Sequence, residues 1–443
     1  MKLCGVDTVA IAPGALVRWD LSSDATPTAV AVPPSENEKF HLDGLRRHGA
    51  AGWLALTVEF GERVPLEDLT RAVRTLLERH EVLRCHFDID GDDFRRHVTP
   101  AATVTVEPRT CDTETSPISD HLIDEIAANC SPFTPFGHVI AAVDRPSSTT
   151  LICAFDHCFV DAYSLAVIAS DLVDDIARVP VPAPASFLAI RALEENAAPV
   201  GTDDPRLTRW GEFLAAGDWT VPEFPLDLGL APGEKAEVRT EVRDLLDAEA
   251  TDSFESAVRA KGARTYPALL TAVADAVRQA GGPAELATIL PIHTRGRPVD
   301  RRAVGWLVGN APIRLLARGD GACALRTNTT RLGDALPLAE IGLTPVYTAY
   351  ADLLRQNRND VFMMSYVDYR RLHLPASVTT RQISSSRDTD TAQFWFWRDT
   401  DGIQLRARHP DTTTARQTMD DLLDAVTDQV DDMRTQPRRH RAG

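Results

Sequence analysis

A strand–helix–strand pattern occupies the first half of the chain. Residues 53–60 (WLALTVEF) show the alternation of a β-strand, and Pro65 stands where the first turn of a helix accepts proline. Apolar residues then recur at helical spacing as far as Leu77, and residues 82–89 (VLRCHFDI) predict the next strand. We therefore predict a β-α-β passage in this half.

A similar pattern returns in the second half. Residues 267–281 (PALLTAVADAVRQAG) predict a helix that ends at Gly281, and residues 285–293 (ELATILPIH) predict the strand after it. Strands and helices that alternate in both halves predict an α/β fold with two lobes.

The boundary between the predicted lobes falls at residues 178–187 (RVPVPAPASF). Its closely spaced prolines exclude a helix and disfavour a central strand, so the segment predicts a stiff, extended linker. We expect an N-terminal lobe of residues 1–180 and a C-terminal lobe of residues 181–443.

Three later segments predict further elements of the second lobe. Residues 361–369 predict a buried strand, and the turn at residues 399–402 between two apolar runs predicts a β-hairpin. A final helix is expected from about Thr412 to Met433, with Asp411 as its N-cap.

Composition narrows the class of protein. The net charge of −17 over 443 residues opposes binding to nucleic acids and to anionic membranes. No apolar run reaches the roughly 18 residues of a membrane span, and the N-terminus lacks the layout of a secretory signal. Seven scattered cysteines without a C-x-x-C pair predict reduced thiols rather than disulfides or a zinc site. We expect a cytoplasmic protein.

The candidate chemistry lies in residues 150–178. An apolar, strand-like run (LICAF) leads into a segment of helical periodicity that starts near Ser164, so His157 and Asp161 fall in the connection between them. Ligand sites of α/β proteins form in such connections. An imidazole with an ordinary pKa of about 6.5 can take up a proton there near neutral pH.

The H-x-x-x-D spacing is weak evidence by itself. His86 and Asp90 have the same spacing, but they lie in a strand that runs into an Asp-Gly turn, with no helix after it. We interpret that second pair as structural. The surrounding sequence therefore has to decide which pair carries the chemistry.

Residues 156–164 (DHCFVDAYS) resemble the H-H-x-x-x-D-G signature of nonribosomal peptide condensation domains and their acyltransferase relatives. The likeness is strongest to the polyketide-associated acyltransferases of actinobacteria. Further passages resemble family segments in the same order: residues 76–87, 290–298, 304–314, 365–370 and 394–410. The resemblance thus spans most of the chain.

The resemblance implies a fold of two chloramphenicol-acetyltransferase-like lobes that form a V-shaped pseudo-dimer, with the active site in a tunnel between them. It implies His157 as the base that deprotonates the acceptor, and Asp161 as a residue that orders the loop by pairing with Arg295. Asn310 is expected either to line the cleft or to support a strand turn. Acyl transfer is expected to be direct, without an acyl-enzyme, a bound cofactor or a metal.

Two residues depart from the family signature. Asp156 replaces the first histidine, and Ala162 replaces the glycine, which leaves less backbone freedom beside an N–H that could hold an oxyanion. His157 keeps the position of the second histidine, which the resemblance implies to be the essential one.

Other nucleophiles and cofactors are disfavoured. Cys158 adjoins His157, and neighbours in sequence usually point apart; Ser164 is expected to cap a helix. The chain contains no G-x-S-x-G elbow, no phosphate-binding G-x-x-x-x-G-K-[ST] loop and no G-x-G-x-x-G fingerprint.

The donor is expected to be an acyl thioester, carried either on coenzyme A or on the phosphopantetheine of an acyl or peptidyl carrier protein. Arginines at residues 295–302 and 206–210 are candidates to meet it. The leading hypothesis is ester formation on a small hydroxyl acceptor by a monomer. Two alternatives stay open: a free-standing condensation enzyme that makes an amide from an amine, and a catalytically silent relative that binds a carrier.

Overall fold

The chain divides into two compact units in the computed structural model. The described residues are 1–6, 10–49, 52–111, 117–317, 322–371, 374, 378–385 and 387–435. The first unit comprises residues 1–199, 293–308 and 371–386, and the second comprises residues 200–292, 309–370 and 387–443.

Strands and helices follow each other along the chain. The strands are β1 (Lys2–Gly5), β2 (Ala15–Ser23), β3 (Thr28–Ala29), β4 (Trp53–Phe60), β5 (Cys85–Asp90), β6 (Asp93–Val98), β7 (Val104–Cys111), β8 (His138–Asp144), β9 (Thr149–Asp156), β10 (Val238–Asp247), β11 (Glu285–His293), β12 (Val308–Leu316), β13 (Met363–Asp368), β14 (Val378–Ser384), β15 (Gln393–Arg398) and β16 (Gly402–Pro410). The α-helices are α1 (Glu36–His48), α2 (Leu66–Arg79), α3 (Ile118–Asn129), α4 (Ala162–Ile176), α5 (Phe187–Glu195), α6 (Pro205–Ala215), α7 (Ala248–Ala260), α8 (Thr265–Gln279), α9 (Ala322–Ala335), α10 (Thr344–Tyr350) and α11 (Thr413–Thr435). This mixture confirms the predicted α/β class.

The first unit contains a sheet with the strand order β1-β14-β4-β9-β8-β2-β7 and a small sheet with the order β3-β6-β5. β14 pairs with β1 on one side and with β4 on the other. Residues 371–386, which carry β14, therefore belong to this unit although they lie far outside the predicted lobe of residues 1–180. The unit thus differs from a contiguous N-terminal lobe, because its sheet takes a strand from late in the chain.

The second unit contains a sheet with the order β10-β16-β15-β13-β11-β12. Its apolar core collects buried side chains of α7, α8 and α11 and of the sheet's strands. β15 and β16 form the predicted hairpin, which is antiparallel and carries Gly402 at the start of β16. Residues 179–186, in the predicted linker, form neither helix nor strand, and α5 follows them. The predicted V-shaped arrangement of the lobes and the tunnel between them stay predictions.

Two predicted boundaries shift for local reasons. The strand predicted from residue 82 starts at Cys85, because Glu81–Arg84 form a 3₁₀ turn in which the Arg84 guanidinium donates to carbonyls at the end of α2. At the last helix the Thr412 hydroxyl accepts from the Ala415 N–H at 2.9 Å. Thr412 therefore caps α11, and the prediction of Asp411 as its N-cap was wrong.

Among the described residues, no helix is long and apolar enough to cross a lipid bilayer.

Candidate active site

The segment from β9 to α4 places His157 and Asp161 at one end of the first unit's large sheet. Every residue of β9 is buried, and it pairs with β4 and β8 on its two sides. A tight turn follows, closed by a 3.0 Å hydrogen bond from the Phe159 N–H to the Asp156 carbonyl. The His157 N–H donates to the Gly52 carbonyl at 2.9 Å. The backbone that carries the imidazole is thus held on both sides.

Asp161 is the N-cap of α4 and sits in a buried ion pair. Its Oδ1 accepts from the Ser164 N–H at 2.7 Å, as expected of a helix cap. Arg295 donates to both carboxylate oxygens, at 2.8 Å and 3.1 Å, in a bidentate arrangement. The expected pairing of Asp161 with Arg295 is therefore present, and both residues belong to the first unit.

The charge of Arg295 keeps Asp161 ionised. Burial on its own raises the pKa of a carboxyl, but the charge and hydrogen bonds of Arg295 and the bonds from Ser164 outweigh it. The pKa of Asp161 consequently lies below its usual range. Since the carboxylate already accepts bonds from Arg295, Ser164 and the Leu307 N–H, it is better suited to ordering the loop than to proton transfer.

Ser164 and Gly305 complete this polar cluster. The Ser164 hydroxyl lies 2.8 Å from Asp161 Oδ1, 2.9 Å from the Gly305 carbonyl and 2.9 Å from Arg295. Gly305 has φ of 152°, and a Cβ on it would lie 2.1 Å from the ring of Phe187. Only glycine fits this position. Ser164 was predicted to cap α4, and this prediction was wrong: Asp161 is the cap, and Ser164 is its hydrogen-bond partner.

His157 itself is half-buried and stacks on Trp306. The two ring centroids are 3.9 Å apart, with 25° between the planes. Its Nδ1 is buried. Burial, followed by the charge of His41, lowers the pKa of His157 to about 4, against the opposing effects of a hydrogen bond with its own backbone and of the charges of Asp156 and Asp161. The imidazole is therefore neutral at pH 7 and has a lone pair for an incoming proton.

Asp156, which stands at the first histidine of the family signature, binds a histidine from elsewhere. It is fully buried at the end of β9, and its Oδ1 lies 2.9 Å from His41 Nε2 and 2.9 Å from the Cys158 N–H. His41 belongs to α1, and its ring centroid lies 6.3 Å from that of His157 and 5.9 Å from that of Trp306. The hydrogen bond to Asp156 thus holds a second imidazole, that of His41, beside His157.

We expect the pH profile to report on this neighbour. With a pKa of about 4 for His157, kcat/KM is flat near neutrality and falls as the pH drops through that value, because the protonated imidazole cannot accept a proton. In His41→Gln the pKa rises, since a positive charge about 6 Å away is lost. The acid limb then moves upward by about 0.5 to 2 pH units, the Coulomb energy at effective dielectric constants of about 80 to 20.

Circular dichroism over the same pH range checks that the variant stays folded. Glutamine keeps an amide that can bond Asp156, so the comparison isolates the charge. An acid limb that stays in place or moves downward contradicts the electrostatic role of His41.

Three further candidate residues lie at different places in the fold. Ala162 is the first residue of α4 and is half-buried; it has no positive φ, so alanine fits the backbone here. Cys158 is fully buried, and burial raises the pKa of its thiol well above the ordinary value, which disfavours a thiolate nucleophile. Asn310 is half-buried in β12 and belongs to the second unit, unlike the cluster around His157.

The two arginine-rich stretches are largely paired with acids. Arg295 is buried against Asp161, and Arg297 binds Asp300 through two hydrogen bonds. In the second unit, Arg206 binds Asp204. Arg209 and Arg301 are exposed, so the role of the two stretches in meeting the donor stays a prediction.

His41 and Trp306 are the site residues that sequence reasoning missed. Trp306 lies inside residues 304–314, which were singled out for another resemblance, so its position was available but its side chain was overlooked. Nothing in the sequence links His41 to a carboxylate 115 residues later. Only the fold brings α1 to the end of β9.

No family model matches the chain. Among curated proteins it is 26% identical over 328 residues to the trehalose-2-sulfate acyltransferase PapA2 of Mycobacterium tuberculosis, a match that covers 68% of each chain. It is also 26% identical over 333 residues to the 2'-acyl-2-O-sulfo-trehalose (hydroxy)phthioceranyltransferase PapA1 of the same species, covering 70% of this chain and 63% of the relative.

Solved structures have the same fold. The PapA2 acyl transferase superposes with a TM-score of 0.88 at 21% identity, covering 98% of this chain and 100% of that one. The condensation domain of the monacolin K polyketide synthase MokA superposes with a TM-score of 0.72 at 12% identity, covering 93% and 99%. The first condensation domain of the calcium-dependent antibiotic synthetase superposes with a TM-score of 0.69 at 15% identity, covering 94% of this chain and 98% of that one.

The two relatives found by sequence are polyketide-associated acyltransferases. The structural superpositions cover nearly the whole of PapA2 and of a condensation domain. These matches confirm the predicted resemblance: the chain is similar in sequence to polyketide-associated acyltransferases and shares its fold with PapA2 and with condensation domains.

Proposed function

We propose that the chain transfers an acyl group from a thioester to a hydroxyl of a small-molecule acceptor, with His157 as the general base. One observation carries the proposal: a neutral, half-buried imidazole is held at the end of β9 by its own backbone and by Trp306. Its lowered pKa keeps it unprotonated at pH 7.

The chemistry needs only one proton acceptor. His157 takes the proton from the acceptor hydroxyl as its oxygen attacks the thioester carbonyl, and a tetrahedral oxyanion forms. The oxyanion collapses, the carbon–sulfur bond breaks, and the departing sulfur takes the proton from the imidazolium. The products are an ester and a free thiol, and the imidazole returns to its neutral form.

Asp161 and Arg295 serve this reaction as positioning residues. The bidentate pair fixes the start of α4, and Asp161 stands four residues after His157. Charge-assisted pairs hold a loop more firmly than neutral hydrogen bonds. The imidazole is thereby kept in one place without the carboxylate touching the substrate.

The relatives guide the choice of donors and acceptors to test. Their names describe acylation of a sulfated trehalose, so a polyhydroxylated sugar is the first acceptor class to test. Coenzyme A and a carrier protein's phosphopantetheine present the same thioester, and either is a suitable donor. We place the reaction in the cytoplasm, in lipid or natural-product biosynthesis, and we propose that the enzyme acts as a monomer.

Product analysis by mass spectrometry tests the proposal. The purified chain is incubated with a panel of acyl-CoA donors and acyl carrier proteins, each with trehalose, trehalose-2-sulfate or a simple alcohol as acceptor. We expect an ester whose formation releases one equivalent of thiol. Intact-mass analysis of the carriers separates the amide-forming alternative, because only a condensation enzyme consumes two loaded carriers.

The same assay tests the alternative that the chain is catalytically silent and only binds a carrier protein. Absence of thiol release above the uncatalysed rate across the whole panel, together with retention of a carrier protein on the immobilised chain, favours a binding protein over an enzyme. Hydrolysis of the thioester at an equal rate with and without acceptor contradicts the proposed transfer.

A further inference from the structure

Two histidines face each other across the hairpin of β5 and β6. His86 on β5 is the direct cross-strand partner of His97 on β6. Their rings are stacked, with centroids 5.2 Å apart and 22° between the planes. Asp88 follows His86 by two residues, so both side chains project from the same face of β5. The hairpin thus collects two imidazoles and one carboxylate in the first unit.

The three side chains bring their ligand atoms together. His97 Nε2 lies 3.0 Å from Asp88 Oδ2, and His86 Nε2 lies 4.0 Å from Asp88 Oδ1. One ligand atom from each residue can be chosen so that all three lie within 4.8 Å of one another. A divalent ion about 2.0 to 2.2 Å from each ligand requires separations of roughly 3 to 4 Å, so small side-chain rotations suffice.

The histidines lack the hydrogen bonds that usually account for buried imidazoles. His86 Nδ1 and His97 Nε2 are both buried, and neither has a hydrogen-bond partner within the ranges that the structure describes. Buried polar atoms without a partner are uncommon and call for an explanation. A bound cation supplies one for His97 Nε2, which faces the carboxylate without forming a hydrogen bond to it.

We propose that His86, Asp88 and His97 bind one divalent transition-metal ion. Two imidazoles and a carboxylate suit zinc, cobalt or nickel rather than magnesium or calcium, which prefer oxygen ligands. The side chains of His86 and His97 are 7% and 18% exposed, whereas that of Asp88 is 60% exposed. The ion is therefore held by the protein on its inner side, and water fills the remaining positions on the outer side.

This site is separate from the proposed acyl transfer. The ion joins the two strands of the hairpin through His86 and Asp88 on β5 and His97 on β6, so its role is structural. It also departs from the expectation that the chain has no metal site, because that expectation rested on the spacing of cysteines and on the family's chemistry.

A second group of potential ligands is less suitable. His41, Asp156 and Cys158 also bring ligand atoms within 4.8 Å of one another. There, however, Asp156 Oδ1 already accepts from His41 and from the Cys158 N–H, and both Asp156 and Cys158 are fully buried. A metal in that group needs a thiolate in the interior, which burial disfavours.

Cobalt binding tests the proposal, because its absorption spectrum reveals the ligands. The full chain is treated with a chelator, dialysed and titrated with Co²⁺, followed by visible absorption and by calorimetry. We expect one equivalent to bind, with d–d bands and without a thiolate-to-cobalt charge-transfer band. Bound Co²⁺ raises the midpoint of thermal unfolding, since the folded hairpin binds it and the unfolded chain does so less well.

Three variants assign the ligands. His97→Ala and Asp88→Asn each remove one ligand from a partly exposed position, and each is expected to weaken binding about tenfold or more. Asp90→Asn is the matched control: it changes an acidic residue on the same strand and face, where Asp90 binds Arg95 instead. That variant is expected to bind Co²⁺ as the wild type does.

Several results overturn the proposal. One is the absence of stoichiometric Co²⁺ binding by the wild type. Another is unchanged affinity in folded His97→Ala. A third is a charge-transfer band that disappears in Cys158→Ala, which assigns the ion to the group around Asp156. Circular dichroism of each variant distinguishes a lost ligand from a lost fold.

Discussion

Replacing His157 by alanine lowers the turnover of an acyl thioester by about 10²- to 10⁴-fold and leaves the protein folded. The reason is that the reaction depends on one proton acceptor, and the neighbouring imidazole of His41 is engaged through its Nε2 with Asp156. Asp161 is occupied by Arg295 and Ser164, and the thiol of Cys158 is fully buried. The loss is expected in kcat as well as in kcat/KM, since the base acts in the transition state.

His157→Gln sharpens this test. Glutamine fills much of the same space beside Trp306 but is not basic, so it separates the loss of a base from the opening of a cavity. Both variants are expected to be similarly inactive and to unfold within a few degrees of the wild type. Activity within tenfold of the wild type, or a change confined to KM, excludes His157 as the general base.

Asp161→Ala is expected to lower the free energy of unfolding by about 3 to 5 kcal/mol, because it leaves the guanidinium of Arg295 buried and unpaired. The side chain of Arg295 is fully buried, and its other bonds go to Ala303, Ser164 and Gly305. Loss of the helix cap adds about 1 kcal/mol. Urea unfolding, with the soluble yield recorded alongside, measures the change.

Asp161→Asn separates the two contributions. Asparagine is a good N-cap but carries no charge, so the helix cap is kept while the ion pair is lost. The double variant Asp161→Ala/Arg295→Met removes both buried charges and is expected to recover part of the stability. The specific activity of the soluble fraction should fall in Asp161→Ala; a lower yield at full specific activity argues against the ordering of His157 by this pair.

Much of the fold near the site was visible in the sequence. β4, α2, α8 and β11 follow the predicted segments closely, because their apolar side chains repeat with the period of the element they form. The strand, turn and helix around His157 were predicted in the same way. The local periodicity of apolar residues is sufficient to predict a helix or a strand wherever that element buries one regular face.

The pairing of Asp161 with Arg295 came from the resemblance and not from periodicity. The two residues are 134 positions apart, and no local pattern relates them. His41 was missed for the same reason, and so was the assignment of residues 293–308 to the first unit. Ser164 was wrongly predicted as the cap because Asp161, three positions earlier, caps the helix instead. The spacing of the residues does not by itself decide between the two.

The position of β14 has a consequence for synthesis on the ribosome. β1 spans Lys2–Gly5, yet it pairs in the sheet with β14, which is translated only after residue 377. Arg295 and Trp306 also emerge well after His157. A fragment that stops at residue 199 therefore lacks β14, Arg295 and Trp306, and the first unit is complete only after residues 371–386 have been translated.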